Sequence, residues 1–224
     1  MKTPQILVID PAMRIAETEC YNHIVLTSPL KATYHLPAMY GLQSLQAVDM
    51  SSVRGIVILG SASSVHERLP WQQAFEDWLR PHLEKKIPTL GICYGHQMLG
   101  YMFGGEVDFV FSDQRKYSCF REVEINGVPW FADSKGSIAA SHNEAITKIP
   151  PVFKVIAKSI ECKIEGMAHR DLPVWSFQTH PEATKEFLTN HNIAYNENEK
   201  TVEKQLFFGH SLVESFLKYT HSLT

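Results

Sequence analysis

An apolar run, Ile87-Pro88-Thr89-Leu90-Gly91-Ile92, leads directly into a segment of helical character, Gly95–Phe103, with Cys93 at the junction. The centre reads Gly91-Ile92-Cys93-Tyr94-Gly95, a G-x-C-x-G pattern with cysteine where the strand–turn–helix elbow more often carries serine. A chain that turns from a buried strand straight into a helix forces the residue at the turn into a strained backbone conformation. Side chains two positions away on either side would crowd it, and glycines at 91 and 95 remove that crowding. The feature predicts a strand ending at the carboxyl edge of a sheet, with the Cys93 sulfur exposed there beside a helix N-terminus. Such a position favours thiolate over thiol.

Elsewhere, short apolar runs alternate with amphipathic stretches, as in α/β domains. Gln5–Asp10 is the first strand, followed by a helix through Arg14–Cys20, and His23–Thr27 is a weaker strand candidate. The aliphatic run Gly55–Gly60 suits a strand covered on both faces. Trp71–Lys85 repeats Phe75, Trp78, Leu79 and Leu83 at helical spacing, with Pro81 expected to kink or end it early. Gly104-Gly105 stops the helix after Cys93. From Phe120 to Pro181 the segments become shorter and more alternating: Phe120–Ile125, Ile138–Ser141, Phe153–Ser159, Cys162–Ala168 and Val174–Thr179. His169–Pro173 separates the last two as a hairpin loop would. Asn190–Lys200 reads as an exposed loop. Val202–Tyr219 reads as a terminal helix packing Leu206, Phe207, Val213, Phe216 and Leu217 inward, its continuity weakened by Gly209. The expectation is a single domain over 1–224, with a mostly parallel central sheet flanked by helices and a smaller antiparallel portion.

Composition narrows the functional classes. A formal charge of −3, with only the short pairs Lys85-Lys86 and Arg115-Lys116, leaves no basic stripe for nucleic acid. No apolar run is long enough to span a bilayer, and the first apolar stretch is too short for a secretory signal. Cys20, Cys93, Cys119 and Cys162 form no C-x-x-C pair, and the 11 histidines form neither H-x-x-x-H nor H-E-x-x-H. Neither a disulfide framework nor a metal site is expected. A cytoplasmic location, where a lone thiol stays reduced, fits this usage.

A thiol nucleophile needs a base that a third group holds in place. Phe177-Gln178-Thr179-His180-Pro181-Glu182 supplies one at the end of an apolar strand. His180 is placed to take the Cys93 proton and return one to a leaving group, and Glu182 to hold the imidazole tautomer.

Three segments in order, Gly91–Gln97, Ser141-His142-Asn143-Glu144 and Phe177–Glu182, resemble the class I (triad) glutamine amidotransferases, most closely the amidotransferase domain of GMP synthases. Ile149–Phe153 also resembles the run that follows the second segment, and the resemblance extends from about Gln5 to Thr184. It implies the flavodoxin-like fold of that family, with Cys93 as nucleophile and His180 and Glu182 completing the triad. The Tyr94 backbone N–H and the Gly60-Ser61 turn would form the oxyanion hole, and Gln97, Ser141 and His142 would contact substrate. His142 could alternatively be read as a second base. The implied reaction is hydrolysis of the glutamine side-chain amide through a γ-glutamyl thioester, releasing ammonia and glutamate without a cofactor. One departure stands out: the family commonly carries Gly-Gly-Pro where this chain reads Gly60-Ser61-Ala62, and serine adopts a positive φ less readily than glycine. The implied partners are glutamine or another γ-glutamyl small molecule, and a synthetase chain that receives the ammonia. A free-standing γ-glutamyl hydrolase or peptidase is the alternative. A non-catalytic regulatory protein is a third reading, which the intact Cys93, His180 and Glu182 set argues against. Oligomeric state is not legible.

Overall fold

Ile6, Leu7, Val8 and Ile9 are all fully buried. Consecutive strand residues point to opposite faces, so four in a row are buried only if both faces of the sheet are covered. The computed structural model describes residues 3–223 and shows what covers them. The strands are β1 (Gln5–Ile9), β2 (Lys31–His35), β3 (Val53–Ile58), β4 (Thr89–Ile92), β5 (Glu106–Phe109), β6 (Tyr117–Ile125), β7 (Ser134–His142), β8 (Glu144–Lys148), β9 (Phe153–Lys158), β10 (Gly166–His169) and β11 (Val174–Phe177). The helices are α1 (Thr18–Thr27), α2 (Pro37–Tyr40), α3 (Gln43–Gln46), α4 (Pro70–Glu84), α5 (Tyr94–Met102), α6 (Lys185–Asn190) and α7 (Glu199–Ser222).

Nine strands form one sheet in the order β2-β1-β3-β4-β11-β10-β9-β6-β7, and β5 pairs with β8 in a separate antiparallel ribbon. The pairings from β2 to β11 are parallel, and those from β11 to β7 antiparallel. One face packs Ile6, Val8, Val57 and Ile92 against Ile24 of α1 and Leu212, Phe216 and Leu217 of α7. The other packs Leu7, Ile9, Ile56 and Ile58 against Phe75 and Leu79 of α4 and Met98 and Leu99 of α5. The antiparallel half curls, so that the end of β7 meets the chain beyond β11 through an isolated bridge between Ala139 and His180. Among the described residues no helix is long and apolar enough to cross a membrane.

Several elements depart from the sequence reading. His23–Thr27 is helical, the second half of α1: Cys20 and Ile24, one turn apart, are buried, while Leu26 is 84% exposed. The aliphatic run Ile24-Val25-Leu26 imitates a strand, but only one of its members faces the core. The helix begins at Thr18, not Arg14, and β2 takes the sheet edge beside β1. α4 passes through Pro81, which lies in its last turn, where a missing N–H removes a single bond. α7 is continuous across Gly209, and Phe207 on it is 71% exposed rather than packed. The segment 191–198 is irregular but not wholly exposed, because Ile193 is buried with Phe187 and Val202.

Candidate active site

β4 and β11 are parallel neighbours in a register that sets Ile92 opposite Phe177. Cys93 is one residue beyond Ile92 and His180 three beyond Phe177, so both leave the sheet at the same carboxyl edge. Cys93 adopts φ 50°, ψ −102°, a left-sided conformation that a side chain rarely takes. The flanking glycines are required by contact. A Cβ on Gly95 would lie 2.6 Å from the Ile58 carbonyl oxygen, and one on Gly91 would lie 2.8 Å from the Gly95 carbonyl oxygen. The Cys93 N–H donates to the Phe177 carbonyl at 2.9 Å, tying the elbow to β11. The sulfur is buried rather than exposed, because β7 folds over it: the Ser141 carbonyl oxygen lies 3.8 Å away, as does Gln178 Nε2.

His180 is held from three sides. Its backbone N–H donates to the Ala139 carbonyl at 2.7 Å, its ring lies 4.5 Å from that of Phe187, and Nδ1 is 2.9 Å from Glu182 Oε1. A carboxylate can only accept, so Nδ1 keeps its proton and Nε2 is the nitrogen left to take up or give one. Nε2, the nitrogen turned away from Glu182, is buried and makes no hydrogen bond among the described residues. Gly60 lies beside both His180 and Cys93: a Cβ there would sit 3.0 Å from His180 Cε1 and 3.6 Å from Cys93 Cβ. Burial works against a charged His180, but negative charge on Cys93 and Glu182 outweighs it and raises the pKa well above the ordinary value.

The remaining positions named from sequence gather around this pair. Tyr94 opens α5, so its N–H has no carbonyl one turn back within the helix. Ser61 is not among the described residues with positive φ, and its replacement of glycine therefore costs no backbone strain. Its hydroxyl donates to the Pro11 carbonyl at 2.7 Å and accepts from the Ser63 N–H at 3.1 Å, fixing the turn. Gln97 Nε2 donates to the Glu144 carbonyl at 2.6 Å and to Gln178 Oε1 at 3.3 Å. His142 donates through Nδ1 to the Glu144 carbonyl at 2.9 Å and accepts at Nε2 from Arg121 at 2.6 Å. Burial, then Arg121, pushes its pKa down to about 3. It is a neutral ring whose lone pair is already occupied, which does not suit a second base.

Sequence reasoning missed several groups. Gln178 lies inside the Phe177–Glu182 segment, whose pattern assigns it no role. Arg121, paired with buried Glu165 at 2.5 Å, carried no spacing signal that linked it to His142. Lys116, His191 and Glu17, which meet at the rim, come from three separate segments. A cavity of about 190 Å³ opens beyond His142, lined by Tyr117, Arg121, Glu161 and Lys163 among others, but not by Cys93. Among the described residues no group of three or more His, Cys, Asp or Glu side chains is placed to hold a metal ion.

A model of the family glutamine amidotransferase class-I matches residues 15–199. The chain belongs to that family. Class I glutamine amidotransferases are cysteine-dependent amide hydrolases. One chain of the glutamine-hydrolyzing GMP synthase of Pyrococcus abyssi is 34% identical to this amidotransferase over 154 residues, which make up 66% of this chain and 74% of that one. The corresponding GMP synthase chain of Pyrococcus furiosus is 38% identical over 110 residues, 48% of this chain and 57% of that one. The GMP synthase of Bordetella parapertussis is 33% identical over 147 residues, but the match spans only 26% of its length. Among solved structures, a glutamine amidotransferase from Thermotoga maritima aligns with TM-score 0.75 at 18% identity, covering 98% of this chain and 99% of its own. PurLQS from the same organism aligns with TM-score 0.64 at 15% identity, covering 94% and 99%. At these identities the structural likeness speaks for the fold of the amidotransferase alone.

Proposed function

We propose that Cys93, His180 and Glu182 form a catalytic triad that hydrolyses the side-chain amide of glutamine and supplies ammonia to a synthetase partner. The observation that carries this is the convergence at Gly60, against which the Glu182-held imidazole and the Cys93 side chain both pack.

His180 Nε2 takes the thiol proton, and the sulfur attacks the amide carbon. The carbonyl oxygen, now negatively charged, is met by the Tyr94 N–H and the N–H groups of the Gly60-Ser61 turn; a single such donor is worth about 10²–10³ in rate. The intermediate collapses as the carbon–nitrogen bond breaks, and the imidazolium gives its proton to the departing nitrogen, which leaves as ammonia. A water, deprotonated by His180, then cleaves the γ-glutamyl thioester, releasing glutamate and restoring the thiol. The pairing of Gln97 with Gln178, whose amide nitrogen lies 3.8 Å from the sulfur, supports a role for Gln97 in binding the glutamyl chain alongside Ser141 and His142. The relatives described as GMP synthase subunits support delivery of ammonia to a partner. The continuous nine-stranded sheet supports a single domain, and four free cysteines suit a reducing cytoplasm.

The purified protein should release ammonia from glutamine, and Cys93→Ala should abolish the release. The reactive glutamine mimic 6-diazo-5-oxo-norleucine should label Cys93; labelling of Cys20, Cys119 or Cys162 in its place would sink the assignment. Inertness toward glutamine together with cleavage of other γ-glutamyl amides would identify a free-standing hydrolase instead.

A further inference from the structure

Three segments distant in sequence meet at the rim of the site. Lys116, just before β6, donates from Nζ to His191 Nδ1 at 3.1 Å. His191, just after α6, donates from Nε2 to Glu17 Oε1 at 3.0 Å, and Glu17 ends the loop that follows β1. The order of partners fixes the protons. An ammonium can only donate and a carboxylate only accept, so His191 is the neutral tautomer protonated at Nε2. Two of the three, Glu17 and His191, are anchored from behind. The Glu17 N–H donates to buried Asp10 at 2.8 Å, and the His191 ring stacks on Phe187 at 4.1 Å, with Phe187 in turn lying against His180.

The cluster stands close to the sulfur. Ser141 links the two: its carbonyl oxygen is 3.8 Å from Cys93 Sγ, and its hydroxyl is 3.4 Å from His191 Nδ1. Lys116 is exposed as a residue, yet enough protein surrounds its ammonium for burial to lower the pKa, and negative charge on Cys93 and on Glu17 works against that lowering. A neutral imidazole occupies one of the three ammonium N–H groups and leaves two. Holding a lysine in place costs rotamer freedom that a single bond to a neutral ring hardly offsets. A carboxylate is the partner that does. In glutamine, and in any γ-glutamyl compound with a free α-carboxylate, three carbons separate that carboxylate from the amide carbon that would meet the sulfur.

We propose that Lys116 determines specificity by binding the α-carboxylate of the γ-glutamyl substrate, with His191 and Glu17 as the positioning residues that aim it. The proposal rests on Cys93 being the site of attack. It separates glutamine from amides of similar length that lack the carboxylate, such as γ-aminobutyramide.

The test is steady-state ammonia release from glutamine by the wild type, Lys116→Met and Lys116→Arg. Lys116→Met should raise KM for glutamine about ten- to hundredfold while kcat falls far less, and should narrow the preference for glutamine over γ-aminobutyramide. Lys116→Arg should recover part of the loss. An unchanged KM, or a fall confined to kcat, overturns the clamp and leaves the Cys93 reading intact. If the wild type does not release ammonia from glutamine, the glutaminase reading fails. The clamp is then decided by calorimetric titration of L-glutamine into Cys93→Ala protein with and without Lys116→Met. Binding at least tenfold weaker in the double variant supports it; equal affinity, or no binding in either, overturns it.

Discussion

At Cys93 the backbone is held in a conformation that costs about 1–3 kcal/mol for a residue with a Cβ. The surroundings over-determine it through the Phe177 carbonyl behind, Gly91 and Gly95 beside, and the first turn of α5 ahead. That constraint was readable from Gly91-Ile92-Cys93-Tyr94-Gly95, because only a tight strand-to-helix turn demands glycine on both sides. The base was readable only as a candidate, and its support is seen in the Glu182 contact at 2.9 Å. Removing the carboxylate charge while keeping the shape should expose that support. Glu182→Gln is expected to lower kcat for ammonia release by about 10²–10⁴, because the amide no longer selects the tautomer or steadies the imidazolium. A loss under tenfold in a folded variant would show that Glu182 is not a working member of the triad.

Among the elements, α7 shows propensity and packing in conflict. Glycine inside a helix costs about 1 kcal/mol relative to alanine, which is why Gly209 reads in sequence as a weak point. In the fold a Cβ at that position would lie 2.9 Å from both the Cα and the carbonyl oxygen of Pro181, and backbone cannot step aside as a flexible side chain can. Gly209 lets the terminal helix seat directly on the residue between His180 and Glu182. Gly209→Ala is therefore expected to destabilise by about 1–3 kcal/mol and to reduce activity, read by thermal unfolding and ammonia release in parallel. Stabilisation, the result that helix propensity alone predicts, would refute the packing account. Similarly, the aliphatic run in α1 misled because local composition cannot say which residues of Ile24-Val25-Leu26 meet the sheet.

Across the whole molecule, burial turns histidines into a pH liability. His96 is fully buried with Nδ1 2.9 Å from the Ser176 hydroxyl, and burial lowers its pKa from 6.5 to about 3. A depressed histidine pKa means that the unfolded chain binds the extra proton, so the contribution of His96 is complete above pH 6.5 and is lost as pH falls toward 3. His142 behaves alike. His180 has the opposite sign: its pKa is raised, so its contribution is complete below its ordinary value and disappears only as pH rises. Burial raises the pKa of Asp10 and Glu165, which adds stability on acidification and blurs the total. The difference between wild type and His96→Gln isolates one group. In urea unfolding that difference should shrink by about 1 kcal/mol per pH unit below pH 6.5, and a constant gap would contradict the assignment.

By itself the sequence determined what depends on neighbours along the chain: an α/β alternation of buried runs and amphipathic helices, the glycine-flanked turn at Cys93, and a histidine and a glutamate two residues apart at a strand end. Tertiary structure decided everything that depends on which strand lies beside which. It set β4 next to β11, and it curled the antiparallel half until β7 covered the sulfur. It also brought Lys116, His191 and Glu17 to one rim and closed Arg121 on His142. The physical reason is that local conformation follows from sterics and periodicity within a few residues. The meeting of distant side chains follows instead from burying both faces of one sheet, and each segment contributes to that without marking where its partner will be.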